Sequence, residues 1–516
     1  MTDWQGRLPA GLVPTLLPGL ARAICARQGL DPAILADRDH GFDVRHYERS
    51  AGRGFRTPGA ALFHYWLVGA RAGMEPRPGF DPAGYLRRNP DVAAAGYEPF
   101  AHYFRFGRQE GRGPAAHSDA PAADALPWPD LSRLVQYPPR KADAATVDVV
   151  VPVYDSRRLA LRAIESVLVS RQATPYELVV IDDGSPDPDL RRDLERLADA
   201  GQLTLLANER NLGFVQTANR GLSLHPDRDV VLLNSDTEVY GDWLDRLMTV
   251  LHGSSRTGTV SPLSNAATIL SYPIFLRDND QLPGMQFAAL DRLCSRLGAS
   301  AVELPTAVGF CMAIKRACLA EIGFFDEKNF GRGYGEENDF SLRAMSAGWR
   351  HMAATNVLVW HRGGASFGSG REARVEAAQQ TLERMHPGYA ATIQRFITRD
   401  PLRPVREALD VARVRDDPRC QVLHIGPQAP SPSEEVLVLR AVPEIGPQRG
   451  RLRICAPAFP PVPNMPRIRP DAPTGDWIRT MRDLGVRAVH VQPSMVRSPL
   501  GQRVKEAARE AGVNEM

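Results

Sequence analysis

Val230-Val231-Leu232-Leu233-Asn234-Ser235-Asp236-Thr237-Glu238-Val239 is the stretch from which the fold is read. Four apolar residues in a row, two of them β-branched, predict a buried strand of a parallel sheet. The run halts at polar Asn234-Ser235-Asp236, so a carboxylate stands at the strand's carboxyl end, where ligands sit in open α/β sheets. A short acidic turn there suits a hard divalent cation gripped by one or two carboxylates and by ligand phosphates. The plainer alternative is that these residues only cap the helix starting near Trp243, since Ser, Asp and Asn are the usual caps.

Upstream, strands and helices alternate. Val147–Val153 is a β-branched strand ending at Pro152-Val153-Tyr154-Asp155, and the helix after it shows Leu161, Ile164, Val167 and Leu168 on one face. Tyr176–Ile181 is a second strand, ending in Asp182-Asp183-Gly184-Ser185. A helix with Leu190, Leu194 and Leu197 follows and closes at Gly201. Leu203–Leu206 is a third strand, and Asn211-Leu212-Gly213-Phe214 opens a helix carrying Ala218, Asn219 and Leu222. Units of this length give an α/β fold with a doubly wound, mostly parallel sheet and right-handed crossovers. Successive strands then end in polar turn residues on one edge of that sheet. No GxGxxG or GxxxxGKS loop is present, so neither a dinucleotide fold nor a P-loop NTPase is favoured. An acidic crevice repels a nucleoside diphosphate unless a cation intervenes. Asp182 or Asp183 could accept from a base N–H or a ribose hydroxyl, or could simply form an Asx-type turn.

Downstream, Gly331-Arg332-Gly333-Tyr334-Gly335 precedes Glu336-Glu337-Asn338-Asp339-Phe340-Ser341-Leu342-Arg343. Both glutamates fall in a first helical turn, which the helix dipole favours. Asp339 and Arg343 have the spacing of a pair along the helix. Glu337 needs only hydrogen-bond reach to an acceptor hydroxyl to serve as a general base. Val357-Leu358-Val359-Trp360-His361 reads as a strand ending in histidine, before Arg362-Gly363-Gly364. Most such histidines are plain structural residues, but a neutral imidazole beside Asp236 would complete a cation site that also accepts Mn²⁺.

"VDVVVPVYDS", "LVVIDDGS", "NERNLGFVQTANRGL", "VVLLNSDTEV", "GFCMAIKRACLAEIGFFDE", "GYGEENDFSLRAMSAGW" and "VLVWHRGGASFG" occur in the order seen in family 2 of the inverting glycosyltransferases. The chain resembles that family over residues 146–390, and the resemblance implies the GT-A fold and transfer of a sugar from a nucleotide-sugar donor to a glycan or polysaccharide acceptor. It implies that Pro152, Tyr154, Asp182, Asp183, Asn211, Gly213, Asn234 and Ser235 line the nucleotide-sugar site. Asp236 would be the metal-binding aspartate of the DXD element and His361 a further ligand to Mn²⁺ or Mg²⁺. Glu337 falls at the catalytic-base position, with Gly309 and Glu336 on the acceptor side. Two departures stand out: Asn234 replaces the first aspartate of the DXD element, and Glu337 replaces the more usual Asp, lengthening the base by a methylene. Asn234 also favours a competing reading, a non-catalytic carbohydrate-binding or scaffold subunit that keeps the GT-A fold.

The rest of the chain is less specific. Its 516 residues exceed one core. Apolar residues make up 43%, charged residues 24%, and the net charge is +3, so no nucleic-acid partner is implied. Cys25, Cys294, Cys311, Cys318, Cys420 and Cys455 show no CxxC spacing and read as free thiols. No apolar run reaches the roughly 18 residues of a membrane span. The expected address is cytoplasmic, with the inner face of a membrane reachable through a partner. Residues 1–41 give weak helical signals. Residues 42–114 hold one unit used twice: Phe42-Asp43, Tyr47, His64-Tyr65, Gly69, Gly73 and Pro76 recur 38 residues later as Phe80-Asp81, Tyr85, His102-Tyr103, Gly107, Gly111 and Pro114. Two helical hairpins are expected, with His64 and His102 as packing residues and a surface for peripheral membrane or protein partners. Residues 115–145 read as a linker, 146–395 as the glycosyltransferase domain, and 396–516 as a partial α/β segment. That last piece resembles the start of a GT-B-type amino-terminal domain and reads as a docking or remnant module, with His490 structural.

Overall fold

The computed structural model describes residues 127–137, 145–276, 278–279, 286–298, 301–331, 333–362, 371–426, 433–443, 450–456 and 462–516, together with scattered residues between 41 and 112. The segment 1–40, the turn Gly363-Gly364, and Asp81, Gly69, Gly73, Gly111 and Pro114 of the repeats lie outside them. The chain divides into two compact units, Met1–Ser118 and Asp119–Met516.

In the first unit, helices Val44–Ala51, Pro58–His64 and Pro99–His102 are described, the last widening into a π-helical turn over Tyr103–Gly107. The repeat is visible as a repeated bond. The Tyr47 hydroxyl lies 2.7 Å from His64 Nδ1, and the Tyr85 hydroxyl 3.0 Å from His102 Nδ1. Phe42, Tyr65, Phe80, Phe100 and Tyr103 pack around these pairs in one core that both copies share. A Cβ on Gly107 would lie 2.1 Å from the Tyr85 hydroxyl, so any larger residue would displace that pair.

The second unit is organised by a sheet made of β1 (Val147–Val153), β2 (Tyr176–Asp182), β3 (Thr204–Ala207), β4 (Asp229–Leu233), β5 (Thr237–Glu238), β6 (Thr257–Ser264), β7 (Ala301–Leu304), β8 (Cys311–Ile314) and β9 (Arg350–His361). Strand order is β3-β2-β1-β4-β8-β6-β9-β5, with β7 also on β9. From β3 to β4 every pair is parallel. This is the α/β class that the alternating pattern predicts. Its apolar runs are unbroken because both faces are covered. Val149, Val151, Leu178, Val180, Val231 and Leu233 enter one core with the helices Arg157–Val169, Pro188–Asp199 and Trp243–His252. Their neighbours Val150, Val179, Ile181, Val230 and Leu232 enter another with Phe214–Leu222, Arg316–Ile322 and Glu336–Ser346. Successive side chains of a strand point to opposite faces, so one strand feeds both layers.

Beyond β4 the pattern changes. β8 runs antiparallel to both β4 and β6, and β6 pairs in parallel with β9. The twelve-residue β9 outlasts β6, and its last two residues pair antiparallel with β5 as Thr237↔His361 and Glu238↔Trp360. Helix Trp243–His252 takes Asp242 as its N-cap residue. Asn234-Ser235-Asp236 is therefore free of capping and forms the turn between β4 and β5.

A second sheet holds β10 (Cys420–Ile425), β11 (Val436–Pro443), β12 (Leu452–Cys455), β13 (Arg467–Ile468), β14 (Ala488–Val491) and β15 (Asn514–Glu515), in the order β13-β12-β11-β10-β14-β15. Helix Arg403–Arg415 joins the sheets: Leu409 and Ala412 enter the first core and Val414 that of the second sheet. Helix Tyr389–Arg399 spans position 396, where the last segment is expected to begin. Buried Asp410 ties the two parts together. It accepts from the Tyr272 hydroxyl at 2.7 Å and from the Asn464 backbone at 2.7 Å, while Asn464 Nδ2 donates to the Pro273 carbonyl at 2.9 Å. Burial pushes the Asp410 carboxyl up to about 6 despite these donors. Tyr272→Phe removes a donor from this buried acceptor and should cost about 1–3 kcal/mol. We expect a lower urea midpoint, and an unchanged midpoint would show that the bond contributes nothing.

Candidate active site

The turn after β4 and the end of β9 bring Asp236 and His361 together. Asp236 Oδ1 lies 3.4 Å from His361 Nε2, and both side chains are largely buried. The β5–β9 pairing sets this approach, and the Arg362 N–H donates to the Asp236 carbonyl at 2.9 Å. Buried Asn265, after β6, clamps the strand end: its Nδ2 donates to the His361 carbonyl and its Oδ1 accepts from the His361 N–H, each at 2.8 Å. The His361 Nδ1 lies 2.6 Å from the Ala266 carbonyl, an acceptor, so Nδ1 carries the proton and Nε2 is the nitrogen turned to Asp236. Burial alone would lower the imidazole pKa, but the adjacent Asp236 carboxylate outweighs it and the net shift is upward.

Asn234 stands beside this pair. Its N–H donates to the Phe310 carbonyl at 2.9 Å, while its Oδ1 is buried without a protein partner. The Phe310 ring stacks on the His361 ring at 5.2 Å. One residue earlier, Gly309 faces Glu337: a Cβ there would lie 3.5 Å from the Glu337 Cγ. Gly309-Phe310 thus touches the Asp236–His361 corner on one side and Glu337 on the other.

Glu337 sits in the first turn of helix Glu336–Ser346, which begins after Gly335 at φ +90°. A side chain at Gly335 would also meet the Phe330 ring at 2.9 Å, so that position requires glycine. Glu337 is half-buried and Glu336 is buried, with Glu336 Oε2 lacking a partner. Burial raises both carboxyl pKa values, and for Glu336 the adjacent Glu337 adds to the rise. Asp339, fully buried, accepts from Arg343 Nε at 2.8 Å, the pairing expected from their spacing, and also meets His386 Nε2 at 2.8 Å. It is spent on structure.

The Asp182–Asp183 pair is split. Asp183 accepts from the Leu212 N–H at 2.8 Å, the Gly213 N–H at 2.9 Å and Asn208 Nδ2 at 2.8 Å. Its carboxylate shapes the Asn211–Gly213 loop. Asp182 Oδ1 accepts from the Ser185 N–H at 2.9 Å, while Oδ2 is buried without a partner and remains available. A Cβ on Gly184, at φ +68°, would lie 2.7 Å from the Arg210 carbonyl carbon, so the loops after β2 and β3 touch there. Pro152 lies in β1 beyond the end of its pairing with β4 at Val150, and Tyr154 is 45% exposed at the strand's end. Ser235 lies half-buried in the turn between Asn234 and Asp236.

At the opposite end of the strands, Asp148, Glu177 and His225 gather closely enough to suggest a metal. Arg228 already fills that place. Its NH1 donates to Asp148 at 3.0 Å and to Glu177 at 2.5 Å, and lies 3.2 Å from His225 Nδ1. A guanidinium so placed supplies the positive charge a cation would bring. Sequence reasoning missed Asn265, Phe310 and the Arg228 cluster, because each acts through contacts distant in the chain.

Comparison with known proteins finds matches to part of this chain. Residues 148–262 match the family model described as Glycosyl transferase family 2. A putative polypeptide N-acetylgalactosaminyltransferase 13 of Drosophila melanogaster is 38% identical over 141 residues, covering 25% of this chain and 25% of that protein. Among solved structures, GalNAc-T7 with UDP, GalNAc and Mn²⁺ aligns at 19% identity and a TM-score of 0.36, over 47% of this chain and 49% of that one. The mannosyltransferase PcManGT of Pyrobaculum calidifontis, in complex with GDP-Man and Mn²⁺, aligns at 17% and 0.35, over 65% and 87%. The chain spans 25% to 32% of the length of the curated relatives it matches. The family match takes in β1 to β5 and most of β6, and with them Asp182, Asp183 and Asp236.

Proposed function

We propose that the chain transfers a glycosyl group, with inversion, from a nucleotide sugar to a hydroxyl of a glycan or polysaccharide. The observation that carries this reading is the convergence of Asp236, His361 and Glu337 on Gly309-Phe310. Asp236 and His361 Nε2 would hold a divalent cation, with the unpartnered Asn234 Oδ1 as an added oxygen donor. One carboxylate, one imidazole and one amide oxygen suit Mn²⁺ or Mg²⁺. Bound there, the cation would neutralise charge on the departing diphosphate.

The chain's own groups do the rest. Asp182 Oδ2 accepts from the nucleoside, Asp183 holds the Asn211–Gly213 loop in shape, and exposed Tyr154 offers a ring at the rim. Glu337 removes the proton from the acceptor hydroxyl as that oxygen bonds to the anomeric carbon. The bond from this carbon to the phosphate oxygen breaks on the other face, and its electrons leave with the nucleoside diphosphate. Gly309, lacking a side chain, leaves the base uncovered on the acceptor side, and Glu336 backs the base from within the helix.

Release of nucleoside diphosphate from a panel of UDP- and GDP-sugars, with Mn²⁺ and an oligosaccharide acceptor mixture, tests the reading. Glu337→Gln should slow transfer about 10²–10⁴-fold while nucleotide binding persists; near wild-type transfer would remove Glu337 from the role. Asp236→Ala and His361→Ala should each weaken Mn²⁺-dependent nucleotide binding, and an unchanged manganese titration would refute the cation site. Because burial raises the Glu337 pKa, the base ionises later than a free carboxyl. The acid limb of kcat/KM should therefore lie above the ordinary Glu value of about 4.3; a limb at or below it would contradict the burial. Absence of turnover with every donor, alongside retained glycan binding, would favour the non-catalytic alternative.

A further inference from the structure

His361 reaches Asp236 only because β9 is shortened on its way there. From Thr259↔His351 to Pro262↔Ala354, β6 and β9 advance one residue for one. The next pair is Leu263↔Leu358, so Thr355, Asn356 and Val357 stand outside the pairing as a three-residue bulge. At roughly 3.3 Å per residue, an unbroken β9 would carry His361 about 10 Å further along β6 than it lies. The bulge also falls where β9 changes partner: β7 pairs with it as far as Ala354, and β5 takes up at Trp360. Bulges beside functional sites commonly re-aim a side chain in this way.

A carbonyl displaced from its ladder needs another donor. Buried Arg246, on helix Trp243–His252, supplies it, donating from Nη1 to the Asn356 carbonyl. The same guanidinium grips the other strand: Nη2 donates at 3.2 Å to the carbonyl of Tyr240, two residues past β5. Both carbonyls lie just beyond the pair Glu238↔Trp360, on the side away from Asp236 and His361. Asp291, buried on helix Phe287–Leu297, completes the joint. It accepts from Arg246 in bidentate form, Nη1 to Oδ1 at 3.1 Å and Nη2 to Oδ2 at 2.7 Å. Its Oδ1 also accepts from the Leu358 N–H, at the exit of the bulge, at 3.0 Å. A Cβ on Gly241, at φ +59°, would lie 3.3 Å from both Arg246 Nη2 and Asp291 Oδ2, so the chain leaving β5 passes directly over the pair.

We infer that Arg246 and Asp291 are positioning residues for the cation-binding corner. Their ion pair holds the bulge of β9 and the chain after β5 in one register, and that register brings His361 to Asp236. The inference rests on the reading of Asp236 and His361 as cation ligands. A buried ion pair roughly breaks even in stability against apolar residues of similar volume, and fixing a register is its best-attested use.

The test is the half-saturating Mn²⁺ concentration for binding of UDP or GDP, whichever the wild type binds, at a temperature where circular dichroism shows each variant folded. Lowered stability alone leaves this midpoint unmoved. Arg246→Lys keeps a charge beside Asp291, but an ammonium cannot span the carboxylate and both carbonyls as the planar fork does. The double variant Arg246→Met with Asp291→Leu removes both charges and strands neither in the core. Each should raise the midpoint about 10–100-fold, the usual effect of losing the support behind a metal ligand. Nucleotide affinity in EDTA should stay as in the wild type. Combined with His361→Ala, Arg246→Lys should add no further rise, because it acts through that ligand. An unmoved midpoint in either folded variant, an equal loss of nucleotide affinity with and without metal, or a full Arg246→Lys effect on top of His361→Ala overturns the inference and leaves the cation site standing. An unmoved midpoint for His361→Ala, or no manganese dependence in the wild type, overturns the inference together with the reading beneath it. If the double variant does not fold, Arg246→Lys decides alone.

Discussion

The antiparallel pairing of β5 with the last two residues of β9 is the constraint on which the site depends. Without it Asp236 would be a loop carboxylate and His361 a strand-end histidine. The pairing sets Thr237 opposite His361, so Asp236 lies one residue from the register point and its carboxylate faces the imidazole. Asn265 then locks the strand end by bonding its amide to both backbone groups of His361, as a neighbouring strand would. A metal-ligating geometry held by backbone pairing is stiffer than one held by loop side chains alone.

Three layers of support follow from that corner. Phe310 stacks on His361 and carries the N–H acceptor for Asn234, so β8 and the turn after β4 are spliced at the site. Gly309 passes this position on to Glu337 without a side chain in between. Behind the corner, the stretch from Asn265 to Tyr272 reaches Asp410 on the helix Arg403–Arg415. That helix belongs to both cores, so the second sheet is bonded to the loop that holds His361. The first unit has a separate logic, with an aromatic core built around two equivalent Tyr–His bonds.

What could be read in the sequence was what repeats locally. The runs Val149–Val151, Leu178–Ile181 and Val230–Leu233 are apolar on both faces, and that alone announces a covered parallel sheet. Asp182 and Asp236 declare themselves because polar residues end such runs. What could not be read depends on partners far along the chain. Asp183 looks like a ligand residue beside Asp182, yet its oxygens are filled by backbone N–H groups near residue 212. Asp148 sits in an apolar strand with no local hint of the Arg228 and His225 that satisfy it. Tyr389 lies beyond the last motif and donates to the Asn338 side chain only after the chain folds back. The insertion of β8 against its neighbours' direction has no periodic signature, since four apolar residues pair either way.

If Asp236 and His361, beside Glu337, hold a cation and a diphosphate together, a crystal can show it. The most direct measurement is an anomalous-difference map from crystals soaked with Mn²⁺ and a nucleoside diphosphate. A single strong peak is expected, bonded to an Asp236 carboxylate oxygen and to His361 Nε2, with the diphosphate on the side facing Gly309. A peak at Asp148, Glu177 and His225, or nucleotide density with no ion near Asp236, would contradict it.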